Sequence, residues 1–146
     1  MAIKQLSVYL ENRPGTLAET IRHISDAGIN IRALSLADTA EFGILRLIPE
    51  DLGKAEQLLS SETIVTLTDV VVAKMDDKTG GLRVILDVFE AAGVNIEYMY
   101  AFTAPHQSAY AVFRVNDCKL AEKHLKQSGI EPLQEGDLQA LLGAGI

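Results

Sequence analysis

The chain of 146 residues has a single cysteine, Cys118, so it can form no internal disulfide and no cysteine-rich zinc site. It also has little positive charge. Thirteen Lys and Arg stand against twenty Asp and Glu, and the deficit is shared: residues 1–68 carry six basic and nine acidic groups, residues 69–146 seven and eleven. Counterion release on a nucleic acid needs clustered Lys and Arg, as does docking on an anionic membrane, so neither partner is expected. No apolar run is long enough to span a bilayer, and Met1 leads directly into an alternating pattern instead of a charged start with an apolar signal core. A reducing, cytoplasmic setting is the expectation. The three histidines, His23, His106 and His124, are scattered, and no metal or cofactor is expected. A nucleophile spaced with its base, a helical His pair and a glycine-rich phosphate loop are all missing, which argues against an enzyme.

What the chain does have is apolar residues, 48% of the total, enough for a sizeable core in one domain or two very small ones. Leu6, Val8 and Leu10 alternate as in a strand with one buried face, and Leu17, Ile21 and Ile24 follow at helical spacing. Between them lies Asn12-Arg13-Pro14-Gly15-Thr16-Leu17. This spacing predicts a loop at a helix N-terminus, with Asn12 as cap, Pro14 in the first turn and Gly15 letting the backbone approach whatever docks there. Such a terminus offers free N–H groups and partial positive charge to a carboxylate or phosphate. Gly28 stops the helix, Ile29 to about Leu36 and Phe42 to Ile48 read as strands, and a second helix with Leu52, Ala55 and Leu59 on one face leads to a strand from Thr63 to Leu67.

The order then repeats. A shift of 65 residues lays Gly15 on Gly80, Leu17 on Leu82, Ala27 on Ala92, Gly28 on Gly93, Asn30 on Asn95 and Ile31 on Ile96. Core positions follow: Leu6, Val8 and Leu10 fall on Val71, Ala73 and Met75, Ile21 on Leu86 and Ile24 on Phe89. The register slips after Phe102, at a longer turn from Thr103 to Ser108, and recovers from Ala111. Two copies are therefore expected over residues 1–68 and 69–135, closely joined, with a short terminal helix and tail over 136–146. Each βαββαβ copy should place two helices on one face of an antiparallel sheet, an α+β class.

On the loop Glu11-Asn12-Arg13-Pro14-Gly15 and the segment Gly28-Ile29-Asn30-Ile31, the sequence resembles the ACT domain family of amino-acid-sensing modules, with their ferredoxin-like fold. The first copy is similar to the serine-sensing ACT domain of phosphoglycerate dehydrogenase. The resemblance implies a non-catalytic regulatory protein that holds a free amino acid between ACT units. The implied ligand residues are Asn12, Arg13, Pro14, Gly15, Thr16 and Leu17 of the first loop with Asn30, Ile31, Asn95, Ile96 and Tyr98 of the second strands. Asp77, Lys78, Thr79, Gly80, Gly81 and Leu82 form the corresponding second loop. The preferred pairing sets the first loop against the second copy's strand. Two departures stand out: Leu10 occupies a position where the serine sensors carry His, and the second loop has no Asn-Arg-Pro. ACT relatives commonly join further, so a homodimer is expected, as is a possible separate enzyme partner.

Each of these residues also has a plainer reading. Asn12 could only cap its helix, Arg13 could be a solvated loop charge, and Tyr98 could belong to the sheet. Cys118 starts a helix, where the dipole could activate its thiol, or it could be an inert, partly buried one. The two rival functions are a ligand-free interaction subunit of a biosynthetic enzyme and an acylphosphatase-like hydrolase. The second would require a longer glycine-rich loop ending in Arg, which this chain does not show.

Overall fold

A computed structural model describes residues 2–38, 41–76, 78–104 and 108–142. The chain divides into two compact units, one over Lys4–Thr68 and the other chiefly over Asp69–Leu142. In chain order the elements are β1 (Ile3–Glu11), α1 (Thr16–Asp26), β2 (Ile31–Asp38), β3 (Phe42–Pro49), α2 (Leu52–Ser60), β4 (Val65–Met75), α3 (Gly81–Ala92), β5 (Ile96–Ala104), β6 (Ser108–Val115), α4 (Cys118–Gln127) and α5 (Glu135–Leu142). This is βαββαβ written twice with a terminal helix. None of the described helices is long and apolar enough to cross a membrane.

In the first unit β3 pairs antiparallel with both β1 and β2, setting Leu6 and Leu34 opposite Leu47, and Val8 and Leu36 opposite Leu45. Opposed residues share a face. Leu6, Val8, Leu10, Leu45 and Leu47 accordingly form one buried cluster with Ile24 of α1 and with Ala55 and Leu59 of α2. The second unit keeps that register. Val71 faces Phe113 and Ala73 faces Ala111, and these residues cluster with Ile85 and Phe89 of α3 and Ala121 and Leu125 of α4. The side-chain volume is redistributed, because Val8 and Leu45 give way to Ala73 and Ala111 while Ile24 and Leu47 give way to Phe89 and Phe113. The two phenylalanines meet edge to face with centroids 5.0 Å apart.

Three expectations need adjustment. The strands expected on either side of Thr68-Asp69 are one unbroken strand, β4, because no Gly, Pro or Ser interrupts the run. The last strand of the second copy shrinks to a single bridge between Ala73 and Pro132, with the Leu133 N–H donating to the Val72 carbonyl at 2.8 Å. Proline has no N–H to continue a ladder. On α1 the buried positions are Thr20 and Ile24, with Leu17 and Ile21 only partly covered. Thr20 tolerates burial because its hydroxyl donates to the Thr16 carbonyl at 3.1 Å.

Helices α1 and α3 end alike. The N–H of Ile29 reaches back to the Ile24 carbonyl at 3.2 Å, and that of Val94 to Phe89 at 2.9 Å, each through a left-handed Gly28 or Gly93. These turns release the chain at Asn30 and Asn95.

Candidate functional site

The first loop is held by its own polar groups. The Arg13 N–H donates to the Glu11 carbonyl at 2.9 Å, and the Arg13 guanidinium donates through Nε to Glu11 Oε2 at 2.8 Å. That hydrogen bond, together with the Glu11 charge, raises the Arg13 pKa above its already high ordinary value. Asn12 Nδ2 donates to Asp38 Oδ1, at the end of β2, at 3.0 Å. Asn12 is thus not the cap that the spacing suggested. The residue before α1 is Gly15, with φ of 87°, and no side chain accepts from the first turn. Pro14 lies in the turn ahead of the helix and outside its first turn, because the left-handed Gly15 must reverse the chain first. Thr16 opens the helix and turns its hydroxyl back to the Arg13 carbonyl at 3.1 Å.

The second loop follows the same plan with different side chains. Lys78 pairs with Asp76 at 3.8 Å, its N–H donates to the Asp76 carbonyl at 2.8 Å, and Gly80 precedes α3 with φ of 88° and no side-chain cap. Thr79 is exposed and Asp77 lies outside the described residues. Helices α2 and α4 behave differently, since Asp51 accepts from the Lys54 N–H and Asp117 from the Leu120 N–H, both at 3.0 Å. Among α1 to α4, the helices that follow the candidate loops are therefore the two whose first turn has no side-chain acceptor.

A cleft of about 300 Å³ opens beside the first loop, lined among others by Glu11, Arg13, Thr16, Glu19, Phe42 and Glu62. His23 Nδ1 meets Glu62 Oε2 at 2.8 Å, and the Thr63 hydroxyl donates to the Tyr9 carbonyl, so the wall beyond α2 is tied to α1 and β1. Asn30 lines a different cleft, of about 220 Å³, with Ser25 and Gly28. Its side chain donates to Glu50 Oε2 at 2.8 Å, and its carbonyl accepts from the Glu50 N–H at the same distance. Within the first unit, loop and strand Asn are not brought together. In the second unit Asn95 exchanges backbone bonds with Asn116, donating to its side-chain oxygen at 2.9 Å and accepting from its N–H at 3.2 Å.

Leu17, Ile31, Leu82 and Ile96 all pack on the cores, Gly81 is buried at the start of α3, and Tyr98 is half-buried on β5. Cys118 begins α4 half-buried, with its thiol against the Asp69 carbonyl at 3.5 Å, and desolvation raises its pKa despite nearby Arg114. A raised pKa leaves less thiolate, in line with the second of the two readings. Sequence reasoning missed Asp38, Glu50 and Glu62.

The family model of the ACT domain pair matches residues 1–142. The chain belongs to that family. Comparison with curated proteins gives no match. Among solved structures the ACT pair is similar to protein BT0572 from Bacteroides thetaiotaomicron, at 38% identity over 94% of this chain and 96% of that one, with a TM-score of 0.87. It shares its fold with the regulatory subunit of aspartate kinase from Thermus thermophilus, at 11% identity over 86% and 91% of the two chains and a TM-score of 0.63. The corresponding subunit from Thermus flavus aligns at 13% identity over 86% and 92%, with a TM-score of 0.60.

Proposed function

We propose that this ACT pair binds a free amino acid without transforming it and serves as a regulatory sensor in the cytoplasm. The observation that carries the reading is the start of α1, where no side chain caps the first turn and Thr16 borders a cleft lined also by Glu11, Glu19 and Glu62. A carboxylate suits the helix end and an ammonium group suits the acids. Asn12, Arg13, Gly15 and Thr16 are the residues assigned to the ligand. No step of catalysis is assigned to any group, since nothing in the loop pairs a nucleophile with a base.

Binding can regulate only by favouring one arrangement of the protein over another, and the recipient of that signal is a separately encoded enzyme of amino-acid metabolism. The protein acts as a homodimer, which light scattering at micromolar concentration tests; a monomeric mass refutes it.

The decisive measurement is a thermal-shift screen of the free amino acids. A ligand at a hundred times its dissociation constant adds about 2.7 kcal/mol of stability, an easily read shift. If none of them stabilises the protein, the pair is an interaction subunit that works without a ligand. Calorimetry on Asn12→Ala and Asn95→Ala then reports which unit contributes.

A further inference from the structure

Strand β2 pairs with β3 on one side, and among the described residues its other edge carries no strand. An open edge of this kind is a template for another chain, and proteins ordinarily blunt it with Lys, Pro or a bulge. Between Ala33 and Ala37, β2 uses none of these. Its bulge falls before that stretch, between Ile31 and Ala33, and so does the charge of Arg32, whose side chain is buried 3.9 Å from Glu50. What the edge presents instead is apolar, with Leu34 36% exposed and Leu36 49%. The two leucines stand opposite Leu47 and Leu45, on the face that the helices cover, yet neither is part of the first core.

The residues of the edge say what fits it. Ala33-Leu34-Ser35-Leu36-Ala37 reads the same in both directions, so the stretch is its own complement in an antiparallel pair. With Ser35 on a twofold axis, Leu34 meets Leu36 of the second copy and Ala33 meets Ala37. The leucines of both copies then close into one cluster on the helix-covered face, and only Ala and Ser lie on the other. Moving the centre to Leu34 or Leu36 sets the other leucine against Arg32 or Asp38. We propose that β2 is the surface through which two copies of this chain join, strand against strand and centred on Ser35. The proposal rests on the homodimer reading above and names its interface. The outer strand of the second unit, β5, is not equivalent. There the corresponding residues are Tyr98-Met99-Tyr100-Ala101-Phe102, which would set Met99 against Ala101, and Met99 already packs on the second core. A pairing that maps β2 onto itself is isologous and closes at two chains.

The test combines interchain disulfide formation with the mass of the full chain in solution. Residues directly opposite in an antiparallel pair have Cα atoms about 4.5–5.5 Å apart, within reach of a disulfide, while diagonal neighbours are about 7–8 Å apart and beyond it. In a Cys118→Ser background, Ser35→Cys should cross-link most of the chain into dimers under mild oxidation. Leu36→Cys should not, because each copy of Leu36 faces Leu34 and lies diagonal to the other Leu36. Leu36→Lys, which leaves the core untouched, should raise the dissociation constant of the dimer about tenfold or more in light scattering, with the circular dichroism spectrum unchanged. Ala101→Lys, at the same place on β5, should leave it as it was. If the wild type is a dimer but Ser35→Cys fails to cross-link, or Leu36→Cys cross-links as readily, or Leu36→Lys dimerises as tightly as the wild type, β2 centred on Ser35 is not the interface and the homodimer stands on another surface. A monomeric mass for the wild type defeats the homodimer reading itself, and this interface with it.

Discussion

The two units share a backbone plan and differ in the side chains that dress it. Gly15 and Gly80 take φ of 87° and 88°, Gly28 and Gly93 take 73° and 72°, and Asp51 and Asp117 cap the equivalent helices. Agreement to within a degree or so between segments of different sequence marks these positions as requirements of the fold. Two polar groups of the first loop are not shared. Asn12 and Thr16 in the first unit correspond to Asp77 and Gly81 in the second. Chemistry present in one copy and absent from the other is free of the demands of folding, and for that reason the first loop is the better candidate for ligand recognition.

The largest difference to exploit lies in the cores. Phe89 and Phe113 fill the second core while Ala73 and Ala111 make room for them. Phe89→Ala should cost about 3–5 kcal/mol of stability in urea unfolding. Ala111→Leu, which imports the first unit's residue, should cost about 1–3 kcal/mol alone through overpacking. The double variant should cost less than the sum, because the added leucine enters space that the phenylalanine has left. Strict additivity would show that the two units do not trade volume between these positions.

A smaller effect separates the loops. Gly81 starts α3 so close to Asp76 that a Cβ there would collide with the Asp76 carbonyl oxygen, whereas the equivalent Thr16 has room for a side chain and uses it. Gly81→Ala should destabilise by about 1–3 kcal/mol, since backbone cannot move aside as a flexible side chain can. Thr16→Ala should cost about 1 kcal/mol or less, the worth of one local hydrogen bond. Equal midpoints for the two variants would mean that the second loop is as open as the first.

Much of this was legible in the sequence because core positions recur at fixed spacing, and burial imposes that spacing wherever a helix covers a strand. Leu6, Val8, Ile24 and their partners 65 residues on mark both cores in the sequence itself. The loop glycines were legible for a similar reason, since a strand-to-helix turn restricts its residue types. The partner of Asn12 was not. Asp38 is exposed, belongs to no periodic pattern and has a threonine as its equivalent, so nothing local ties it to a loop 26 residues away. The tightness at Gly81 was equally hidden, because it depends on where the Asp76 carbonyl points and not on any residue type.

The smallest expected effect on stability sharpens the comparison most directly. Arg13 pairs with Glu11, and Lys78 with Asp76, in the same place of each loop, and all four side chains are more than half exposed. Water screens both pairs, so exchanging the cations, Arg13→Lys in one loop and Lys78→Arg in the other, should leave the unfolding midpoint unchanged within error. Ligand binding should respond differently. Arginine presents a planar fork that can engage a carboxylate at two points, while lysine offers a single compact charge. With the Glu11 hydrogen bond raising its pKa, Arg13 stays charged across the working pH range, so its contribution to binding should not vary with pH. Calorimetry with whichever amino acid stabilises the protein should therefore find a several-fold loss of affinity in Arg13→Lys and none in Lys78→Arg. Equal affinity in both variants would reduce Arg13 to a solvated loop charge and leave Asn12 and the helix end to hold the carboxylate alone.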